Sequence, residues 1–293
     1  MKTTGPETYR IGDARITRVS ETLLTTLTAR DLYADWDESR LDAYARWLLL
    51  GRPEERRDHV VLSVHSWLVQ IDGQTILIDT GIGNGKDRPF SKLFDHLQTR
   101  FLEQLEALGV TPENVDHVLL THLHVDHVGW NTRLVDGRWV PTFPNATYVF
   151  PQREQAFYST PAGASRRMVF DDSVLPVVEA NQALTIDERG GNYLRAFTFH
   201  PTPGHSVGHM SISLKSAGAA AIFAGDVMHN PVQVYRPEWA SVFCADPERA
   251  RQSRLWLLAQ AADHESPVFS SHFPETSAGR IIRSGDGFEW TYI

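Results

Sequence analysis

The chain has 293 residues, 42% hydrophobic and 22% charged, with a formal net charge of −8 and a pI near 5.9; that length suits one large catalytic domain, and the acidic balance argues against a nucleic-acid partner, whose phosphates need a basic face. The lone cysteine, Cys244, can make no internal disulfide, so no oxidising compartment is implied. Met1 to Arg15 lacks the apolar core of an export signal and no run of about eighteen apolar residues occurs, so a cytoplasmic protein that does not span the membrane is expected.

Residues 1–58 carry no chemistry-bearing motif and read as an N-terminal arm or lid. Within residues 31–57, Tyr33, Trp36, Tyr44, Trp47 and Leu48-Leu49-Leu50 alternate with charges. Such a pattern must bury one face, as a lid, as a homodimer contact, or as an ordinary helix on its own core. Val60 to Asp72, then Gly73, then Gln74 to Asp79 predicts a hairpin turned at Asp72-Gly73. Apolar residues from Leu93 to Leu108 recur at helical spacing and Gly109 supplies a stop, predicting a helix over 92–108. Val118-Leu119-Leu120 reads as a buried strand. Ala146 to Phe150 reads as a strand and Gln152 to Tyr158 as a short helix, followed by a polar stretch to Ser173. Further strands are expected around Tyr193 to Phe199, His209 to Leu214 and Ala219 to Phe223. A helix is expected from Asp246 to Ala262, where Asp246-Pro247-Glu248 provides a cap, a first-turn proline and an acid. This order supports a mixed α/β domain.

The chemistry is concentrated at Thr121–Trp130, which reads T-H-L-H-V-D-H-V-G-W. His122, His124, Asp126 and His127 place four good metal ligands within six residues at the end of the predicted strand. Imidazole suits zinc, iron, cobalt and nickel, and a carboxylate in the same cluster favours a second ion nearby. His122 and His124 are two apart and, in extended backbone, point the same way.

H-x-H-x-D-H directly after an apolar strand resembles the signature of the metallo-β-lactamase superfamily. Other landmarks of that family find counterparts in order: Asp79 ending Thr75-Ile76-Leu77-Ile78, His205 in Thr202-Pro203-Gly204-His205-Ser206-Val207-Gly208-His209, Asp226 after Ala221-Ile222-Phe223-Ala224-Gly225, and His272 after Pro267-Val268-Phe269-Ser270-Ser271. The resemblance implies an αββα sandwich of two mixed β-sheets flanked by helices. It also implies two divalent metal ions, zinc first, with iron, manganese or cobalt as alternatives. His122, His124 and His205 would hold one ion and Asp126, His127 and His272 the other, with Asp226 bridging; Asp126 and Asp226 are thus the carboxylates serving catalysis. Asp79 would steady the metal loop and His209 would support the ligands by a hydrogen bond. Two-metal sites of this kind activate a bridging water to hydroxide at neutral pH.

Within the superfamily, H-S-W-L-V, the metal motif, T-P-G-H-S-V-G-H and C-A-D-P-E-R-A-R look most like the branch of N-acyl homoserine lactonases and methyl-parathion-type hydrolases. A small-molecule lactone, or a carboxylic or aryl ester, is the expected substrate; a phosphotriester is the alternative. A di-iron redox protein of the same fold and a non-catalytic metal-binding module are the rivals from other classes. Trp67, Trp130, Phe90, Met228 and Phe243 are candidates for an apolar pocket wall. Among the other histidines, His65 is a candidate to face the site and His229 could reach the pocket mouth, but His229, His200 and His117 read first as structural or surface residues. His59, His96 and His264 carry no signal.

Overall fold

The computed structural model describes residues 7–37, 39 and 58–293. Two compact units divide the chain: Met1–Thr22 with Val64–Gly191, and Leu23–Ser63 with Asn192–Ile293. Each is built on one mixed seven-stranded sheet.

The first sheet has the order β1-β2-β3-β4-β5-β8-β9: β1 (Thr8–Ile11), β2 (Ala14–Leu24), β3 (Leu62–Ile71), β4 (Gln74–Ile78), β5 (His117–Leu119), β8 (Thr147–Pro151) and β9 (Ala183–Ile186). A separate small hairpin pairs β6 (Thr132–Val135) with β7 (Arg138–Pro141). β3 and β4 form the hairpin expected at Asp72-Gly73, with Ile71 opposite Gln74, and β4, β5 and β8 run parallel. Parallel neighbours bring the ends of β4 and β5 to the same edge, so Asp79 and the loop after Leu119 emerge together. The N-terminal stretch is partly sheet: in Ala14–Leu24, Ala14 and Ile16 are buried on one face and Thr17, Val19 and Glu21 on the other. Buried Phe101 and Leu105, from the helix Phe101–Ala107, join Leu68, Leu77 and Val118 in one core.

That helix is shorter than its spacing predicts. Residues 92–100 form turns and loop, with His96 at φ +50°. Backbone and side-chain bonds tie this stretch to the preceding loop: Gly85 N–H donates to Leu97 O, and Thr99 N–H to Asn84 Oδ1. These cross-links compete with helix formation, and Leu93, Phe94 and Leu97 are half-buried without it.

A buried charged latch also lies in this unit. Arg88 is fully buried and bonds both oxygens of Asp172, at 2.6 and 2.8 Å. Lys86, equally buried, donates to Thr132 Oγ1 at 2.6 Å and lies 3.7 Å over the Trp139 ring. Asp172 belongs to the helix Arg167–Ser173, inside the region whose polarity hid its structure.

The second sheet follows chain order: β10 (Gly191–Tyr193), β11 (Phe197–Pro201), β12 (Met210–Ser216), β13 (Ala219–Gly225), β14 (Val268–Ser270), β15 (Ala278–Ser284) and β16 (Gly287–Tyr292). β13 and β14 are parallel, as the long helix Pro247–Asp263 between them allows. That helix starts as expected, with Asp246 accepting from Arg249 N–H, and packs Leu257, Leu258 and Ala261 on Ile222, Val268 and Ile281. Tyr33 and Trp36 are buried against Trp239, at ring distances of 5.8 and 5.3 Å. Tyr44, Trp47 and Leu48–Leu50, on which the lid or dimer expectation also rested, lie outside the described residues. No helix among the described residues is long and apolar enough to cross a membrane.

Candidate metal centre

In the first unit the loop after β5 carries four donors. His122 and His127 are buried, while His124 and Asp126 are partly open. Donor atoms of His122 lie within 4.8 Å of those of His124 and of His127, and the same holds for Asp126 and His127. Asp79 organises this loop. It stands directly after β4 at φ +56°, a left-handed conformation rare for a non-glycine residue and frequent at functional sites. Its Oδ1 accepts Thr121 N–H at 2.8 Å; its Oδ2 accepts Thr121 Oγ1 at 2.9 Å and His127 Nδ1 at 2.8 Å. Since Thr121 Oγ1 donates to Asp79, it accepts from His122 Nδ1 at 3.0 Å. Both imidazoles therefore carry their proton on Nδ1 and offer the Nε2 lone pair, the tautomer a ligand needs.

A second support comes from Glu21 on β2. Its buried carboxylate accepts Ile82 N–H, Gly83 N–H, Trp130 Nε1 and Thr99 Oγ1, at 2.6, 3.1, 2.7 and 3.2 Å. Burial pushes its pKa up, opposed by these hydrogen bonds. The loop after Asp79 is thereby tied to the end of the metal motif, where Thr80 N–H donates to His127 O and Gly129 N–H to Gly81 O. Gly129 is required here, because a Cβ on it would lie 1.8 Å from the Ile82 carbonyl. Leu123 is pinned from the other side by Glu154, which accepts its N–H, and by Tyr158, whose hydroxyl donates to its carbonyl. Glu21, Glu154 and Tyr158 escape sequence reasoning because each meets the loop across 31 to 109 residues of chain.

In the second unit the donors come from separate elements. His205 sits in the turn between β11 and β12, and its carbonyl accepts Ala245 N–H. Gly204 permits that docking: a Cβ there would lie 2.1 Å from Ala250 N. Asp226 follows β13, next to an irregularity in register between Phe223 and Gly225 of the kind that re-aims a strand end. His209 is wholly buried; its Nε2 accepts Asp226 N–H at 2.8 Å and its Nδ1 bonds Thr202 Oγ1 at 2.9 Å, so it supports Asp226 through the backbone. His272 follows β14 and donates from Nδ1 to Ser63 O at 2.9 Å.

Around Asp226 the arrangement has an electrostatic requirement. With Nδ1 donating to a carbonyl, His272 directs its Nε2 toward Asp226, 3.0 Å from Oδ1 and 3.1 Å from Oδ2; unprotonated, as a metal ligand must be, it would present a lone pair there. His205 Nε2 lies 3.2 Å from Oδ2. Two lone-pair groups this close repel unless a positive charge lies between them, so the donor set fits a divalent cation. His229, expected as a structural or surface histidine that could reach the pocket mouth, is buried, with Nε2 3.4 Å from Asp226 Oδ2. Burial holds its imidazole below the ordinary histidine range, with Asp226 opposing.

The proposed pocket wall is placed differently. Trp130 is core: it stacks on Phe101 at 5.5 Å and is held by Glu21. Met228 is fully buried among Val227, Leu257 and Phe273. Both were expected as candidates for an apolar wall, and both are packed in the core. Trp67 is buried between Tyr9 and His65. Phe90 lies under the Arg166 guanidinium, and Phe243 is exposed, its ring 6.0 Å from His229. His117 and His200 are structural, bonded to Gln74 and Ser213.

The family model of the metallo-beta-lactamase superfamily matches residues 59–272, most of the chain and every donor above. The chain belongs to this superfamily. Its relatives include N-acyl homoserine lactonase AttM of Rhizobium radiobacter, 27% identical over 60% of this chain and 65% of the relative, less than two thirds of that protein's length. Ribonuclease Z of Methanopyrus kandleri is 28% identical over 79% of this chain and 78% of its own. Among solved structures, the hydrolase AbOPH of the beta lactamase superfamily superposes with a TM-score of 0.81 at 28% identity, covering 100% of this chain and 99% of that one.

Proposed function

We propose that this superfamily member is a metal-dependent hydrolase that opens lactones or cleaves carboxylic or aryl esters. His122, His124, Asp126, His127, His205, Asp226 and His272 together would hold two divalent cations, zinc first among them. Bound there, such ions supply Lewis acidity and lower the pKa of a coordinated water toward neutrality. The observation that carries the proposal is the set of imidazoles whose Nδ1 protons are already committed, His122 to Thr121, His127 to Asp79 and His272 to Ser63. This sets Nε2 of these three as donors before any ion arrives, and orientation of this kind raises ligand basicity. Asp79 holds the first unit's donors in place, and His209 does so for Asp226.

Ester or lactone, rather than RNA, is favoured by the charge of the chain. A net charge of −8 opposes a polyanion, whereas a neutral ester needs no basic surface. The lactonase relative points the same way. The test is a panel of lactones, aryl esters, phosphotriesters and a structured RNA, assayed with zinc- and cobalt-loaded protein before and after chelation. Turnover of lactones or esters, abolished by chelator and restored by metal, is expected. Turnover of phosphotriesters or RNA alone would overturn the substrate assignment, and chelator-resistant turnover would overturn the metal dependence.

A further inference from the structure

The seven donors implied by the family pattern leave out His229, which lies among three of them in the second unit. Asp226 Oδ2 has His272 Nε2 at 3.1 Å, His205 Nε2 at 3.2 Å and His229 Nε2 at 3.4 Å. Donor atoms of His205, Asp226 and His229 lie within 4.8 Å of one another. The His229 and His272 rings are parallel, with 3° between planes and 5.5 Å between centroids, and the His205 ring is 4.9 Å from that of His229. His229 is 2% exposed, and its Nδ1 has no hydrogen-bond partner among the described residues.

A buried imidazole without compensation is costly, about 1–3 kcal/mol for each orphaned group, and proteins seldom leave one unexplained. The local backbone gives the residue its place: His229 N–H donates to Gln233 Oε1, and Gln233 Nε2 donates to Trp239 O, so the main chain at His229 is held by a buried amide of the helix Val232–Tyr235. Metal–donor distances of about 2.0–2.1 Å imply edges of about 3.3–3.4 Å between donors in a tetrahedral shell. The contacts of 3.0 to 3.4 Å around Asp226 lie near that edge length.

We infer that His229 is an eighth metal donor, which with His205 and Asp226 gives the second unit a three-donor set for a divalent cation. This rests on the proposed two-metal reading. A further neutral donor at this end raises affinity without adding charge. It also makes the ion held by His205 and Asp226 less dependent on His122 and His124 than the seven-donor pattern implies.

The test compares wild-type protein with His229→Asn and His229→Ala by zinc stoichiometry, competition with a chromophoric chelator, and the visible spectrum of the cobalt form. Folding is checked by circular dichroism, and the Asn variant, closest in size and polarity, decides if the Ala variant does not fold. Wild type should bind two ions. Both variants should bind one of them at least about tenfold more weakly, with altered cobalt absorption, and added imidazole should restore affinity and spectrum in the Ala variant. Two ions bound with unchanged affinity and unchanged cobalt spectrum in His229→Asn would overturn the role of His229. Weakened binding with an unchanged spectrum and no imidazole rescue would also overturn it, because His229 would then act only on packing. A wild-type protein that binds no ion would instead overturn the two-metal reading itself.

Discussion

In the first unit four donors leave one six-residue loop, and a polar network reaching from Asp79 and Glu21 holds that loop; in the second, donors arrive at the end of a turn and two strands, each placed by the backbone that carries it. His122 and His127 owe their tautomers to one carboxylate, through Thr121 and directly. Asp226 and His272 owe their positions to parallel strands β13 and β14, whose ends share an edge. Leu123, Val128 and Trp130 anchor the loop in the core, but the tautomers of His122 and His127 rest on hydrogen bonds alone. A strand end fixed by a sheet retains its course when one side-chain bond is lost. Support residues in the first unit should therefore matter more to metal binding than those in the second.

The largest effect should come from a donor itself. Asp226→Ala removes the anion toward which Nε2 of His205, His229 and His272 all point. Residues that merely orient a ligand typically cost about 10–100-fold when removed, so this variant should lose more than about 100-fold in kcat/KM and at least one ion per chain, read by elemental analysis and steady-state kinetics. A variant keeping both ions would break the assignment of Asp226.

The comparison itself is tested by Asp79→Ala against His209→Ala. The first should cost metal affinity about 10–100-fold, since His122 and His127 lose the acceptor that sets their protons. The second orphans the buried Asp226 N–H, worth about 1–3 kcal/mol of stability, but leaves β13 to hold the residue. A melting-temperature drop with metal affinity changed less than tenfold is expected for His209→Ala. If chelator competition shows His209→Ala binding metal more weakly than Asp79→Ala, the contrast between loop and strand support fails.

How far such a contrast is legible from sequence depends on where the donors lie. The contiguous motif announces His122, His124, Asp126 and His127 because no ordinary packing rule sets histidines at that spacing. Asp79 follows a readable hairpin. His205, Asp226 and His272 are each a single polar residue near a strand end, and only resemblance to a family marks them out. His229 goes astray for the same reason: one histidine three residues past an aspartate has no periodicity, and the fold buries it. Glu21 is hidden most thoroughly, as an unremarkable glutamate in an alternating strand whose partners lie 61 to 109 residues away. The expected helix over 92–108 is overextended because apolar spacing records partial burial, which loop residues cross-linked to Asn84 and Gly85 can reach too.

Away from the donors, the first unit's reliance on buried polar links predicts a pH dependence. Burial, then neighbouring Arg88, lower the Lys86 ammonium to about 7, with Asp172 opposing. One carboxylate here serves two cations, and Arg88 takes both of its oxygens. Between about 7 and the ordinary lysine value of 10.5 the unfolded chain binds a proton that the folded chain does not, so stability rises with pH through that window. Below it both states are protonated and the contribution is flat. Urea midpoints measured from pH 6 to 10 should rise less steeply in Lys86→Met than in wild type; equal slopes would show that Lys86 keeps its charge.

The smallest effect concerns the helix that backs His205. Asp246 caps Pro247–Asp263 by accepting Arg249 N–H at 3.1 Å, and its own N–H donates to Gly204 O at 2.8 Å. Replacing it by alanine removes the side-chain cap, about 0.5–2 kcal/mol, but keeps the backbone bond to the turn. Because that bond and the close approach of Gly204 to Ala250 persist, His205 should stay in place. Asp246→Ala is therefore expected to lower the melting temperature by a few degrees with metal affinity and KM within about twofold of wild type. Loss of metal here, at a position that touches the turn only through its main chain, would mean that the second unit also depends on side-chain links, and that the sheet alone does not secure its donors.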